Sequence, residues 1–435
     1  MDFNNIPNSL FVKNRKSFSD FMASKSIAVF CANEPMPRNG DQFFPFRQQS
    51  DFFYLTGIKH ENAFLILYPD SPNPDRKEIL FIETYNENKV IWQGEMLDTA
   101  EASRISGVKT VLYSDSFYDV LNDIVFNCDK IYLNSYEYPR YQCDVATKQQ
   151  RFAEDIKRRY PLHNIERSAP ILNRLRLVKS KEELDITRHA CDITGQAFRR
   201  CLDTVRPGKY EYQIQAEIEY VFKSNNASGH AFAPIVAGGK NGCCLHYSSN
   251  NSILNDNDLV LFDIGCEYNH YSSDLSRTIP VNGHFTPRQK QCYDAVLRVM
   301  KQIEPLYVIG NTINDINTTT YKLMEQEMIG LGLFTTDDVK RQDPDKPLYT
   351  KYLMHGISHH IGIDVHDNVN KSITFKEGMI LTCEPGIYIR EENIGIRIEN
   401  DMLVTSGQPV NLFEGLPIEV DEIEYAMNKN IQQKS

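Results

Sequence analysis

The sequence lacks several features that would assign it to a class at once. Its ten cysteines form no C-x-x-C pair, so neither a cysteine-based zinc site nor a redox motif is expected. No run of about eighteen apolar residues occurs, so we expect no membrane span. The formal net charge of −11 argues against nucleic acid as a partner, because phosphate binding needs clustered Lys and Arg. The first residues carry no basic segment followed by an apolar one, so we expect a cytoplasmic chain with reduced thiols.

The chain is long enough for two domains. It has 435 residues, of which 41% are hydrophobic and 24% charged, so a packed core is expected. We place the domains at 1–172 and 173–435. In the first domain, short apolar runs between turn residues predict strands at 27–32, 51–57, 63–68, 78–83 and 130–134. Helical stretches at 97–104 and 146–159 alternate with them, so this domain is predicted to be α/β.

The second domain begins with clear helix signals. Ser180 and Glu183 form a capping-box pattern, and apolar residues follow at helical spacing. A similar cap at Thr286, with Pro287 and Gln289, predicts another helix start. Further helices are predicted at 210–222 and 312–327. Strand-like runs lie between the helices, which predicts an α+β domain.

One predicted hairpin carries two aspartates. In LVLFDIGCEYNHYSSDLSRTIPV, two apolar alternating runs flank Tyr268-Asn269. A turn centred there pairs Asp263 with Asp274 across the strands, with Cβ atoms about 4.5–5.5 Å apart. Directly opposed like charges destabilise a sheet, so such a pair requires a compensating cation.

A second predicted hairpin carries two glutamates. In MILTCEPGIYIREENIGIRIENDMLV, the polar turn Glu391-Glu392 pairs Glu384 with Glu399. Arg397 lies two residues from Glu399 and therefore points to the same face. One carboxylate pair can arise by coincidence, whereas two pairs with a histidine cluster between them indicate a site.

The histidine cluster is HGISHHIGIDVH, residues 355–366, with four of the eleven histidines of the chain. The simplest alternative is a polar loop rich in His. Together with four carboxylates, however, one imidazole completes an oxygen-rich ligand set that suits Mn²⁺ better than thiol-loving metals. Four carboxylates can bridge two ions about 3.5–4 Å apart, as in two-metal hydrolases.

These residues resemble a known family. The order Asp263, Asp274, His359, Glu384, Glu399 is similar to the five-ligand site of the creatinase/methionine aminopeptidase superfamily, the pita-bread metallopeptidases. The motifs FDIG, SSDLSRT, HGISHHIGIDVH, CEPGIY and IRIEN are most similar to those of Xaa-Pro aminopeptidases (aminopeptidase P). FPFRQQSDFFYLTGI, residues 44–58, resembles the N-terminal domain of that family. The resemblance implies an α/β N-terminal domain and an α+β pita-bread catalytic domain.

The resemblance also implies roles for individual residues. His359 matches the metal-ligand histidine, whereas His246, His355 and His366 match histidines that line the substrate site without binding metal. His360 matches no functional position and is interpreted as a structural or surface residue. Trp92, the only tryptophan, is interpreted as a partly buried packing residue that could also lie near a neighbouring subunit's site.

The implied activity is hydrolysis of the first peptide bond by a metal-activated water. Two divalent ions are expected, Mn²⁺ first, with Zn²⁺ and Co²⁺ as alternatives. Glu384 would shuttle the proton, His246 or His366 would stabilise the oxyanion, and Arg397 would orient ligand carboxylates. Peptides with a penultimate proline are the implied substrates, and a homodimer or homotetramer is the implied assembly. Prolidase and a catalytically dead peptide-binding member remain the alternatives.

Overall fold

A computed structural model gives the fold of the chain and describes residues 6–135, 137–139, 144–367 and 370–432. The chain divides into two compact units, Met1–Arg176 and Leu177–Ser435. In the described ranges, no helix combines the length and the apolar character needed to cross a membrane.

The first unit is built on a six-stranded mixed sheet. The strands of this unit are β1 (Ser26–Cys31), β2 (Pro37–Asn39), β3 (Gln42–Phe43), β4 (Phe64–Leu67), β5 (Glu78–Ile82), β6 (Thr110–Tyr113), β7 (Lys130–Leu133) and β8 (Asn164–Arg167). Its helices are α1 (Asn8–Ser19), α2 (Ser50–Thr56), α3 (Glu87–Gln93), α4 (Thr99–Ser106), α5 (Phe117–Val125), α6 (Lys148–Arg159) and α7 (Ala169–Leu177). The sheet order is β6-β5-β4-β1-β7-β8, and β2 pairs with β3 apart from it.

The core of this unit follows the alternation along its strands. Ile27, Val29 and Cys31 of β1 pack in one buried cluster with Phe117 and Leu121 of α5. Four predicted strands are confirmed as β1, β4, β5 and β7 to within one residue at each end, and the two predicted helices are α4 and α6. The strand predicted at 51–57 is wrong.

That segment is the helix α2. The Gln49 side chain accepts a hydrogen bond from the Phe52 amide, and Gly57 ends the helix with a φ of 69°. Every residue of α2 except Asp51 is buried, so the segment has no polar face that would reveal a helical period. The N-cap and the left-handed C-terminal glycine are the signals that distinguish it from a strand.

Trp92 also differs from its prediction as a partly buried packing residue. It lies near the end of α3, and its side chain is 85% exposed. The described residues of α3 include no buried one, so Trp92 has no core to pack into.

The second unit surrounds short antiparallel sheets with helices. Its helices are α8 (Lys181–Thr204), α9 (Glu211–Ser224), α10 (Pro287–Ile303), α11 (Ile313–Gly330), α12 (Thr336–Arg341) and α13 (Val420–Gln432). Its strands are β9 (Gly229–His230), β10 (Ile235–Gly238), β11 (Leu259–Ile264), β12 (Cys266–Tyr268), β13 (Tyr271–Ser272), β14 (Leu275–Pro280), β15 (Ile380–Cys383), β16 (Gly386–Ile389), β17 (Ile394–Arg397), β18 (Asn400–Leu403) and β19 (Val410–Asn411). The sheets are β10-β11-β14, β13-β12-β9, β15-β18-β19 and β16-β17.

The predicted helix starts of this unit are confirmed. Ser180 Oγ accepts from the Glu183 amide at 3.4 Å, and the Glu183 carboxylate accepts from the Ser180 amide at 2.7 Å. Thr286 and Gln289 make the same reciprocal pair at the start of α10, with Pro287 in the first turn. These caps satisfy amides that the first helical turn cannot pair internally.

Candidate metal centre

The aspartate hairpin forms, but its turn lies one residue further along than predicted. Tyr268 pairs with Tyr271, so the turn residues are Asn269 and His270, with φ of 48° and 68°. Left-handed backbone at both central residues is typical of two-residue hairpins, and Asn adopts it more readily than Tyr. The predicted turn was Tyr268-Asn269, whereas the observed turn is Asn269-His270.

This shift changes the pairing of the two aspartates. Asp263 lies opposite Ser276 and not opposite Asp274, so the predicted direct pair is wrong. Moving a turn by one residue moves each cross-strand partner by two, and side chains therefore keep their faces. Asp274 still shares the face of Asp263, as its diagonal neighbour. Between them, a Cβ on Gly265 would lie 1.8 Å from the Ser273 carbonyl oxygen, so only glycine fits this crossing.

The glutamate hairpin has the predicted register. Cys383 of β15 lies opposite Asn400 of β18, and β16 and β17 continue in the same register. Glu384 and Glu399 lie at the break between these two ladders, where Pro385 has no N–H to donate. The break leaves backbone groups of this hairpin available to other segments.

Backbone hydrogen bonds at the break join the three segments of the site. The Glu399 amide donates to the Ser276 carbonyl oxygen of the aspartate hairpin at 3.0 Å. The Thr382 amide donates to the His359 carbonyl oxygen at 2.9 Å, which fixes the histidine segment on β15. Both carboxylate hairpins and His359 are thereby held against one another.

The side chains converge as a result. One ligand atom each from Asp274, His359 and Glu399 lies within 4.8 Å of the others. His359 Nε2 is 3.5 Å from Asp274 Oδ2 and 3.8 Å from Glu384 Oε1. Three of the five predicted ligands, Asp274, His359 and Glu399, therefore form one cluster that could hold a metal ion, and Glu384 lies beside it.

Burial and mutual repulsion raise the pKa values of these acids. Burial, then the charges of Glu399 and Asp263, raise the pKa of Asp274 well above its usual range. Burial, then Glu384 and Asp263, do the same to the pKa of Glu399. Burial raises the pKa of Glu384 to about 8, against the opposing effect of Arg397. These three acids can all remain ionised only if positive charge is added beside them.

The donor set fits divalent cations. Among the described residues, Asp263 Oδ1 and Asp274 Oδ1 are buried and have no hydrogen-bond partner. Buried carboxylate oxygens without donors are costly unless a cation meets them. Oxygen ligands with one imidazole are the donor set preferred by Mn²⁺ and accepted by Zn²⁺.

Arg397 links the acids of both hairpins. Its guanidinium donates to Asp263 Oδ2 at 2.6 Å, to Ser276 Oγ at 2.8 Å and to the Tyr388 hydroxyl at 2.8 Å. Ser276 Oγ in turn donates to Glu399 Oε2 at 2.6 Å. These contacts fix the orientation of two carboxylates, one from each hairpin.

His355 is held beside the acids as a neutral ring. Its Nε2 is 2.8 Å from the Tyr388 hydroxyl, and its Nδ1 is 2.8 Å from the Gly356 carbonyl oxygen. Burial, reinforced by the positive charge of Arg397, lowers the pKa of His355 to about 4. Its Nδ1 is also 3.8 Å from Glu384 Oε2.

The two other histidines of the cluster, His366 and His360, lie in different environments. The His366 ring packs edge-to-face on His359, with centroids 4.4 Å apart. His360 is fully buried, and its backbone pairs with Leu381. It is therefore the structural residue of the two options predicted, and not a surface one.

All nine predicted site residues line one cavity of about 370 Å³. The cavity also has an apolar lining that the sequence did not indicate, which includes Phe232, Leu245 and Val365. Asp401 was missed as well: it is buried, and its Oδ2 accepts from the Asp274 amide at 3.0 Å. Its alternation with Arg397 and Glu399 along the strand was the available signal.

The chain is similar to known proteins over nearly its whole length. Residues 185–406 match the model of metallopeptidase family M24, and residues 11–132 match that of the aminopeptidase P N-terminal domain. The pita-bread fold with a buried acid and histidine cluster defines a metallohydrolase. The chain belongs to metallopeptidase family M24, which confirms the predicted fold class and the predicted enzyme class.

Individual relatives agree with this assignment. A Xaa-Pro aminopeptidase of Escherichia coli (strain K12) is 32% identical over 96% of this chain and 97% of its own. The structure of Escherichia coli aminopeptidase P with the inhibitor Pro-Leu is 30% identical, with a TM-score of 0.88 over 99% of this chain and 100% of that one. A zinc-substituted form of that enzyme with product gives 31% identity and a TM-score of 0.88, over 98% and 99%.

Proposed function

We propose that the chain releases the N-terminal residue from peptides whose second residue is proline. The observation that carries this proposal is the cavity in which four acids, four histidines and Arg397 face one another. The similarity to Xaa-Pro aminopeptidases over the full length supports the same activity.

Asp263, Asp274, His359, Glu384 and Glu399 would hold two divalent ions, Mn²⁺ first, with Zn²⁺ or Co²⁺ as alternatives. Bound there, the ions would lower the pKa of a water molecule toward neutrality and polarise the scissile carbonyl. The two orphaned aspartate oxygens support this ligand assignment.

Glu384 is the proton carrier in this proposal. Its carboxylate lies 3.8 Å from both His355 and His359. A carboxylate beside the attacking water can take up its proton and release it to the leaving nitrogen. Arg397 and Ser276 keep the neighbouring carboxylates in place during this transfer.

The remaining histidines act on the substrate. His246 or His366 donates to the developing oxyanion, and His355 positions the residue on the leaving side. Because its pKa is lowered by burial to about 4, His355 is neutral at working pH and adds no charge that would repel a cation.

Selection for proline follows from what this residue lacks. An Xaa-Pro bond has no N–H, so recognition must use the ring and not a hydrogen bond. Phe232, Leu245 and Val365 supply apolar surface in the cavity for such a ring. The free α-amino group of the substrate would lie at the acids, which limits release to one residue.

Substrate length tests this proposal against prolidase. We expect kcat/KM for X-Pro-Y-Z tetrapeptides well above that for X-Pro dipeptides, and no cleavage of acetylated tetrapeptides. Preference for the dipeptide would identify a prolidase. Binding of tetrapeptides without turnover, in protein loaded with Mn²⁺, would identify a catalytically dead member.

The assembly and the location remain predictions. A homodimer or homotetramer is expected, which sedimentation of the purified chain measures directly. Free cysteines, buried except for Cys244 among those described, support the expected reducing cytoplasm.

A further inference from the structure

The loop that carries His246, residues 239–252, begins on a buried carboxylate. Glu211 is the first residue of α9, and its side chain is fully buried. Its Oε1 accepts from the Gly238 amide at 2.8 Å, immediately before the loop, and from Asn241 Nδ2 at 2.9 Å. The start of the loop is therefore fixed relative to α9.

The same carboxylate also holds the end of the loop. Its Oε2 accepts from the Ser252 amide at 2.8 Å and from the Tyr247 hydroxyl at 2.7 Å. Tyr247 directly follows His246, and both side chains line the cavity of the metal centre. One side chain thus connects both ends of the loop with the residue beside the histidine.

All four donors to Glu211 are neutral N–H or O–H groups. A carboxylate has two oxygens with several lone pairs, so one side chain can accept from several donors at once. Glu211 therefore organises the loop as a multiple acceptor.

We propose that Glu211 is a positioning residue of the peptidase reaction, acting through the orientation of the His246 loop. This inference rests on the proposed function for the role of His246 at the scissile bond. A misplacement of about 1 Å at a reacting group can cost on the order of a hundredfold in rate. A loop without its common acceptor would sample such displacements.

A double-mutant cycle tests this inference. We expect Glu211→Ala to lower kcat/KM about tenfold or more, mostly through kcat, with unchanged metal content. The pair Glu211→Ala/His246→Ala should lie within about twofold of His246→Ala alone, because residues that act as one unit are not additive. Glu211→Gln, which keeps one acceptor oxygen, should be intermediate. Losses that multiply in the double variant would overturn the proposal.

A readout without activity separates this inference from the proposed function. Hydrogen exchange of residues 238–252 should accelerate in Glu211→Ala, since the Gly238 and Ser252 amides lose their acceptor. Glu217→Ala, which removes a half-buried carboxylate of the same helix that pairs with Arg200 and not with the loop, should leave exchange and turnover unchanged. Unchanged hydrogen exchange in Glu211→Ala would overturn the positioning role of Glu211, whatever the activity of the native chain. Failure of the native chain to cleave Xaa-Pro peptides would count against the proposed function alone.

Discussion

Buried carboxylates occur in two contrasting environments within the second unit. Glu211 is fully buried and meets four donors. In the metal centre, Asp263 and Asp274 each keep a buried oxygen that has no partner in the described chain, beside Glu384 and Glu399. A satisfied carboxylate needs no cation and can hold a loop, whereas an unsatisfied group of acids is stable only with one. Donor count, and not burial, therefore separates structural from functional acids here.

The largest effect is expected from changing an unsatisfied acid. Asp274→Asn should abolish activity and lower metal content while the fold remains, because the side chain contributes a ligand and little packing. Turnover, metal analysis and circular dichroism on one sample measure this. Asp345→Asn, an exposed acid of the same unit, is the matched control. Full activity with normal metal content in Asp274→Asn would refute the ligand assignment.

Removal of the metal should make the folding stability of the chain depend on pH. Burial raises the pKa of Asp401 to about 7 and that of Glu384 to about 8. Between pH 4.5 and 7, approximately, the folded metal-free chain keeps protons that the unfolded chain has lost, so its stability falls as pH rises. In this window each group lowers the free energy of unfolding by roughly 1 kcal/mol per pH unit, which corresponds to a drop in Tm of about 3 °C.

Thermal melts of chelated and Mn²⁺-reloaded protein across that range measure the difference. The reloaded protein should show a flatter dependence, because nearby cations keep the carboxylates ionised. If Tm depends on pH in the same way in both forms, these acids do not bind the metal.

A moderate effect is expected where the His246 loop packs on β17. A Cβ on Gly395 would lie 2.1 Å from the Gly242 carbonyl oxygen, so Gly395→Ala should displace the loop that Glu211 holds. We expect a loss of kcat/KM of about tenfold with normal metal content. Gly407→Ala, whose added Cβ meets nothing closer than 3.9 Å, is the control. Equal activity of the two variants would show that the loop tolerates displacement.

The smallest effect is expected at His360. In the described residues, neither of its ring nitrogens has a hydrogen-bond partner, and burial lowers its pKa to about 4, so the ring is neutral. Replacing a neutral, unpaired polar ring by Phe removes no interaction, and His360→Phe should keep turnover within about twofold. Damage as great as that of His359→Ala would place the metal ligand one residue further along.

The parts of the fold that depend on local chemistry could be predicted. The reciprocal caps of α8 and α10 involve residues three apart, and sequence shows such pairs directly. The register of the glutamate hairpin followed from its polar turn. The aspartate hairpin was misplaced because its turn is decided by which residues accept left-handed dihedrals, and Asn269-His270 suits them better than the pair that was chosen.

The parts that depend on tertiary contact could not be predicted. Asp401 and Ser276 hold the proposed ligands Asp274 and Glu399 through hydrogen bonds between segments more than a hundred residues apart. Glu211 lies outside every motif, and its four donors become neighbours only once the loop returns to α9. The helix α2 was read as a strand because burial on all sides removes the periodicity on which such a prediction depends.

The wide separation of the site residues along the chain has a consequence for biosynthesis. The aspartate hairpin joins strands that are close in sequence and can form early, whereas His359 and then Glu399 are synthesised long after it. A nascent chain that stops short of His359 presents the two aspartates without the three other proposed ligands of the site. Metal uptake would therefore mark the end of folding of the second unit, so that incomplete chains stay unloaded and open to proteolysis.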